Sequence, residues 1–209
     1  MQAVYIKGLN GLLATDLITI PISTRTLSFW VKLYDIGSTA GGFGISKYSS
    51  DNFETITLSE SPNQGWFFGS SGLMKSGSAN MPYISVVIPY TWHMVTAVYD
   101  TTYSMYINNK LLFSIPNAGY LQTFTDPYRF IIGPRIYVSW ATAGYINGTV
   151  GDVMVWGRAL NSSEITALFK STSLVYNSTT SGSIEFNHYH HRHHRHHHHH
   201  HHLHHHHHT

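Results

Sequence analysis

Trp92-His-Met-Val-Thr-Ala-Val-Tyr-Asp100, followed closely by Met105-Tyr-Ile-Asn-Asn-Lys-Leu111, decides how this chain is read. From His93 to Tyr99 β-branched and aromatic residues dominate, the composition that suits a pleated, half-buried surface. Ser104 to Ile107 and Lys110 to Ile115 repeat that character on either side of Asn108-Asn109, two residues that tolerate the positive φ of a two-residue turn. The segment therefore predicts one strand and a β-hairpin.

Working outward, the same signals recur at short intervals, punctuated by Gly, Pro, Asn and Asp. They predict further strands at Val4 to Ile6, Leu17 to Ile22, Thr26 to Leu33, Phe43 to Tyr48, Thr55 to Ser59, Gly65 to Gly69, Tyr83 to Ile88, Tyr128 to Gly133 and Gly148 to Trp156. One short helix is expected after Asn161-Ser-Ser-Glu164, where the Asn can cap the first turn and the Glu can return a bond to a free N–H. Ile165, Leu168 and Phe169 supply its apolar face. The fold class is thus all-β: a two-sheet sandwich or jelly roll with one short C-terminal helix. The expected organisation is a jelly roll over residues 1–174, a Ser/Thr-rich connector over 175–187 with a possible strand at Ser183 to Phe186, and a tail over 188–209.

Charge says little about partners in the body. Of twelve basic residues two, Arg192 and Arg195, lie in the tail, so ten face ten acidic residues before it. Nothing there recruits nucleic acid or an acidic membrane by charge. The absence of cysteine excludes disulfides, thiolate metal sites and thiol nucleophiles. The start, MQAVYIKGLNGLL, shows no secretory leader, and no apolar run approaches the roughly 20 residues of a membrane span. Sequons at Asn147, Asn161 and Asn177 are candidate glycosylation sites and point to an extracellular destination.

The tail holds seventeen of the eighteen histidines, leaving His93 alone in the body. It reads either as an affinity tag or as a native segment, and interruption by Tyr189, Arg192, Arg195 and Leu203 favours the second. Imidazoles such as His190, His191, His193 and His194 bind transition metals nonspecifically when neutral. Protonated, they make the tail a cationic, pH-responsive segment able to meet nucleic acid.

Three segments in order resemble the laminin-G-like, concanavalin-A-like lectin-glucanase jelly rolls. Leu27-Ser-Phe-Trp-Val-Lys32 is similar to the family's inner aromatic strand. The Trp92 strand with its hairpin is similar to the Trp-His strand and Tyr-x-Asn-Gly turn, and departs from it at Asn109, where the family prefers Gly. Gly148-Thr-Val-Gly-Asp-Val-Met-Val-Trp-Gly-Arg-Ala-Leu160 with Ser163 to Leu168 is similar to the last strand and terminal helix. The resemblance implies a two-sheet antiparallel jelly-roll sandwich, concanavalin-A-like, over most of Gln2 to Lys170. It also brings glycoside hydrolases and calcium sites into consideration.

Hydrolysis needs two carboxylates, about 5 Å apart in the retaining case. Glu54 and Glu60 share strand parity, but six residues of extended chain separate them by about 20 Å. His93, beside Trp92, is expected to be a packed, hydrogen-bonded core residue. Asp51, Asp126 and Asp152 are conceivable calcium ligands, although no clustered Asp/Asn loop supports them, and no cofactor is expected. Sugars need aromatic platforms beside hydroxyl or amide groups. Trp66, Phe67 and Phe68 form one candidate glycan- or partner-binding patch, and Tyr137, Trp140 and Tyr145 another; Trp66 and Trp140 are expected at the surface or in an interface.

The leading functional expectation is a non-enzymatic structural or attachment component of an extracellular particle, a homo-oligomer contacting other particle proteins. In its cysteine-free, weakly charged, sequon-bearing character the chain resembles adaptor or spike-associated tail proteins of spindle-shaped archaeal viruses. That resemblance implies a virion surface. The alternative is a carbohydrate-binding lectin-like module that takes surface glycans, and a weaker one is a glycoside hydrolase.

Overall fold

Alternation along the strands sorts side chains into two interiors, one between two sheets and one beneath a helix. The computed structural model describes residues 3–8, 11–35, 41–50, 52–58, 65–70, 87–116, 121–138 and 141–177. Among them the strands are β1 Val4–Ile6, β2 Leu13–Ala14, β3 Arg25–Asp35, β4 Gly42–Lys47, β5 Phe53–Leu58, β6 Trp66–Ser70 and β7 Trp92–Tyr99. They continue with β8 Thr102–Ile107, β9 Lys110–Pro116, β10 Tyr128–Gly133, β11 Ile136–Val138, β12 Ala141–Ala143 and β13 Asn147–Trp156. A single described helix, α1, spans Ser162–Asn177.

One sheet runs β1-β13-β3-β7-β8-β9, the other β2-β10-β4-β5-β6, and β11-β12 is a separate hairpin. Every pairing is antiparallel, as the sequence predicts for a jelly-roll sandwich. Leu27, Phe29, Val31 and Leu33 of β3 point between the sheets with Val95, Ala97 and Tyr99 of β7, meeting Phe43, Ile56, Leu58 and Phe68 from the facing sheet. Each fully buried side chain of this size contributes about 1.5–3 kcal/mol. The turn between β8 and β9 is as expected: Asn108 and Asn109 both take positive φ, 55° and 144°, and Ile107 pairs with Lys110. Asn108 also holds β7, its N–H donating to Met94 O at 2.7 Å and its Oδ1 accepting from Met94 N at 2.9 Å.

The intervening residues of β3, Thr26, Ser28 and Trp30, face the other way: Thr26 bonds Arg158 O and Leu160 N just before α1, Ser28 bonds Thr96 of β7, and Trp30 lies under α1. The cap is as predicted, with Asn161 Oδ1 accepting from the N–H of Ser163 and Glu164 at 3.0 Å each, and Glu164 Oε2 accepting from Asn161 N at 2.9 Å. The helix, however, continues through the Ser/Thr-rich stretch to Asn177, three residues past the predicted end of the domain at 174. Packing explains this. Trp30 stacks on Phe169 at 5.7 Å and Tyr176 at 4.4 Å, and its Nε1 donates to Thr172 Oγ1 at 2.9 Å, so tertiary contacts override weak local propensity. The tyrosine also sits over a bulge in β13: its hydroxyl accepts from Asp152 N at 2.6 Å, and a Cβ on Gly151 would lie 2.2 Å from that hydroxyl.

A second difference lies at Leu17 to Ile22. In place of a strand, only isolated bridges join Ile18 to Tyr128 and Ile22 to Phe124. Pro21 has no N–H for a ladder, and Ile20, 74% exposed, gives its carbonyl to the Tyr128 hydroxyl at 2.8 Å. Of the strand expected at Tyr83 to Ile88, residues 83–86 lie outside the described ones, and Val87 is buried without strand pairing. The remainder of the connector and the histidine tract, 178–209, also lie outside them.

Candidate functional site

The first predicted patch is core. Trp66 is 2% exposed, and Phe67 and Phe68 are buried beside it. Trp66 meets Phe29 edge-on at 5.7 Å, while Phe68 contacts Tyr99, Tyr103 and Phe113 at 5.3, 5.4 and 5.5 Å. The expectation that Trp66 stands at the surface is therefore corrected. The strand expected at Gly65 to Gly69 forms as β6 and packs closely on β5, since a Cβ on Gly69 would lie 2.3 Å from Thr57 Oγ1. The second patch is divided. Trp140 lies outside the described residues. Tyr137 is half-buried, its N–H and carbonyl both bonded to Ser46 Oγ at 3.1 Å, with the Arg129 guanidinium between its ring and that of Tyr48 at 5.9 and 5.5 Å. Tyr145 is half-buried against Gly8.

What sequence reasoning missed is a row of tyrosines on the outer face of the six-stranded sheet. Register builds it. Tyr5 of β1 pairs with Thr149 of β13, Thr149 with Lys32 of β3, and Lys32 with Trp92 of β7, so one line across four strands points to the same side. Tyr34, two residues along β3, lies on that face as well. Its ring centroid is 5.7 Å from Tyr5 and 5.6 Å from Tyr90, with planes inclined by 52° and 36°. Tyr5 is 54% and Tyr90 71% exposed.

Polar groups interleave with the rings. The Tyr5 hydroxyl donates to Asn147 Oδ1 at 3.0 Å, and the Tyr34 and Thr149 hydroxyls bond at 2.6 Å. The Lys32 ammonium lies 5.3 Å from the Trp92 ring centre and 5.8 Å from that of Tyr34. Among the described residues no carboxylate comes within ion-pair distance of it. Tyr90 holds φ at 60°, a left-handed conformation that is strained for a bulky residue and that accumulates at functional sites. Its N–H donates to Leu33 O at 2.7 Å, which ties the turn to β3. The sequence signal was slight: Tyr90 follows Pro89, and Tyr34 shares parity with Trp30, but nothing local brings Tyr5 to them.

The residues weighed for catalysis and metal binding are placed elsewhere. Glu54 is wholly buried between the sheets, its Oε2 against Arg25 Nη2 and its Oε1 accepting from the Tyr103 hydroxyl at 3.1 Å. Arg25 donates to the Gln122 carbonyl at 3.0 Å and to that of Ser23, and lies over Tyr99 and Phe124 at 4.7 and 5.1 Å. Burial lowers its pKa to about 10. This is a cross-brace in the sandwich interior, with no room for a sugar. His93 is buried as expected; neither ring nitrogen makes a well-formed hydrogen bond, and burial lowers its pKa against a weaker opposing effect of the Ile88 backbone. Asp126 pairs with Lys47 at 2.8 Å, Asp152 lies on the bulge under Tyr176, and Asp51 and Glu60 lie outside the described residues. Among the described residues no three His, Asp or Glu gather. Of the sequons, Asn147 opens β13 within the tyrosine row, Asn161 caps α1, and Asn177 ends it.

The comparisons agree with the fold. Residues 8–166 match the concanavalin A-like lectin/glucanases superfamily. The chain belongs to that family. No curated protein sequence matches it. Among solved structures it is similar to a native heptameric SAP-like pentraxin from Limulus polyphemus, at 13% identity and TM-score 0.56 over 80% of each chain. Domain 4 of the extracellular arabinanase AbnA from Geobacillus stearothermophilus, in complex with arabinotriose, is similar at 16% identity and TM-score 0.57, over 80% of this chain and 81% of that one. The CBM40 of the Ruminococcus gnavus IT-sialidase, bound to α2,3 sialyllactose, is similar at 11% identity and TM-score 0.52, over 75% and 98%. At such identities the likeness is one of fold.

Proposed function

We propose that this chain is a non-enzymatic carbohydrate-binding module that takes a glycan along Tyr5, Tyr34 and Tyr90. The observation that carries the reading is the exposed tyrosine row with amide and hydroxyl groups set between its rings. Pyranose faces stack on aromatic rings, and sugar hydroxyls demand directional partners such as Asn147 and Thr149. Because successive ring planes are inclined, the row suits a chain whose sugars turn relative to one another. The sugars bound by the arabinanase domain and the CBM40 support the same reading.

An attachment role at a cell or particle surface follows from glycan capture, and the three sequons are consistent with that location. Assembly and pH response through the histidine tract remain part of this proposal and rest on residues 188–209; a place in a virion tail rests on the cysteine-free, weakly charged, sequon-bearing character of the chain alone. Catalysis is no part of it, since the one carboxylate weighed for it among the described residues, Glu54, is buried against Arg25. The test is a screen of the full chain against insoluble polysaccharides and a glycan array, followed by Tyr90→Ala and Tyr5→Ala. Retention should fall at least tenfold in each variant while the far-UV spectrum is unchanged. Equal retention by all three proteins would overturn the proposal.

A further inference from the structure

We infer that Lys32 makes this face selective for acidic sugars, those that carry a carboxylate or sulfate group on the pyranose. The inference rests on the tyrosine row being a glycan site, and adds the class of glycan. Lys32 occupies the same register line as Tyr5, Thr149 and Trp92, so its stem rises from within the row. Its ammonium is held against the faces of Trp92 and Tyr34, where ring quadrupoles fix a cation without neutralising it. The neighbours on this face, Thr149, Trp92, Trp30 and Tyr34, bring no carboxylate. Among the described residues Arg25, Lys47 and Arg158, by contrast, each have an acidic partner, in Glu54, Asp126 and Glu164.

In a body with balanced charge, a half-buried lysine with no described carboxylate within ion-pair distance puts one positive centre in the row. A sugar stacked on Tyr34 with its anionic substituent toward Trp92 satisfies that centre. A neutral sugar leaves it to water. The acid group then also fixes which way the glycan runs along the row, from Tyr90 and Trp92 at one end to Tyr5 and Asn147 at the other.

The experiment is calorimetric titration of the full chain with three ligands: a hexuronate oligosaccharide, its carboxyl-reduced neutral counterpart, and a sulfated neutral oligosaccharide of the same length. The hexuronate should bind about fivefold more tightly than the reduced form, the scale of one partly exposed ion pair, and the advantage should shrink in high salt. The sulfated ligand tells whether the centre reads any anion or carboxylate alone. Lys32→Met, which keeps the stem over Trp92, should abolish the preference while neutral binding persists, and Lys32→Arg should restore it. Tyr90→Ala should weaken all three ligands alike. Neutral and acidic ligands bound equally by the native chain, with Tyr90→Ala still weakening both, would overturn the acidic preference and leave the glycan site standing. A preference unchanged in Lys32→Met would overturn the assignment to Lys32. Binding of none of the ligands would overturn both readings, most directly if the row instead joins two copies in a dimer that Tyr90→Ala dissociates.

Discussion

Replacing Tyr90 separates what its ring does from what its backbone endures. At φ 60° a side chain with a Cβ carries about 1–2 kcal/mol of steric strain. The ring returns part of this through its contact with Tyr34 at 5.6 Å, about 0.5–1.5 kcal/mol for such a pair; with 71% of the residue exposed, burial adds little. Tyr90→Ala loses the ring contact and keeps the strain, so it should destabilise by about 1 kcal/mol. Tyr90→Gly loses the same contact and sheds the strain, but gives the unfolded chain roughly 0.5–1 kcal/mol of extra freedom, and should come out near the native stability. Glycine is thus expected above alanine by about 0.5–1 kcal/mol, the reverse of their order in a regular strand. For a domain of this size that is a difference of roughly 1–4 °C in Tm. Urea denaturation with a common m-value measures it, and both variants should lose glycan retention together. Alanine as stable as or more stable than glycine would refute a strained left-handed backbone at this position.

Asn109→Gly should stabilise by about 0.5–1 kcal/mol in thermal melts, because φ 144° suits glycine, whereas Asn108→Ala should cost about 1–2 kcal/mol by leaving the buried Met94 N–H without its Oδ1 partner. Arg25→Met should destabilise by about 3–5 kcal/mol through the unpaired Glu54 charge; adding Glu54→Leu should recover most of that loss in a double-mutant cycle. His93 titrates below its ordinary value in the fold, so below about pH 6.5 the unfolded chain binds a proton that the folded chain refuses. Stability from this group is complete above that pH and is lost as the pH falls through the folded value, and urea midpoints at pH 7.5 and 5.5 should lie closer together in His93→Phe.

Local pattern made much of the fold legible. The Trp92 strand alternates between the two interiors, Asn108-Asn109 can hold positive φ, and the Asn161–Glu164 cap sits where its spacing requires. Each is decided within a few residues. Readings failed where a distant partner decides. Thr172 and Tyr176 are helical because Trp30 needs covering, and Ser/Thr composition cannot show that. Trp66 in its predicted strand reads equally well as a surface ring, but the facing sheet brings Phe29 against it. Leu17 to Ile22 has strand composition, yet Pro21 leaves only two bridges. The candidate site was least legible of all, since Tyr5, Tyr34 and Tyr90 become neighbours only through the pairing of β1, β13, β3 and β7.

That pairing has a consequence for when the site can exist. Tyr5 lies in β1, and its partner Thr149 belongs to β13, the last described strand. During synthesis the first strand must wait until nearly the whole sandwich has emerged before it finds its place, and contacts of such long sequence separation are slow to form. On the proposed function, glycan retention therefore also reports when the sheet is complete. A nascent or truncated chain ending before β13 keeps the tyrosines but cannot set Tyr5 beside Tyr34, so a ribosome-release series scored on a polysaccharide column should read zero until β1 has paired with β13.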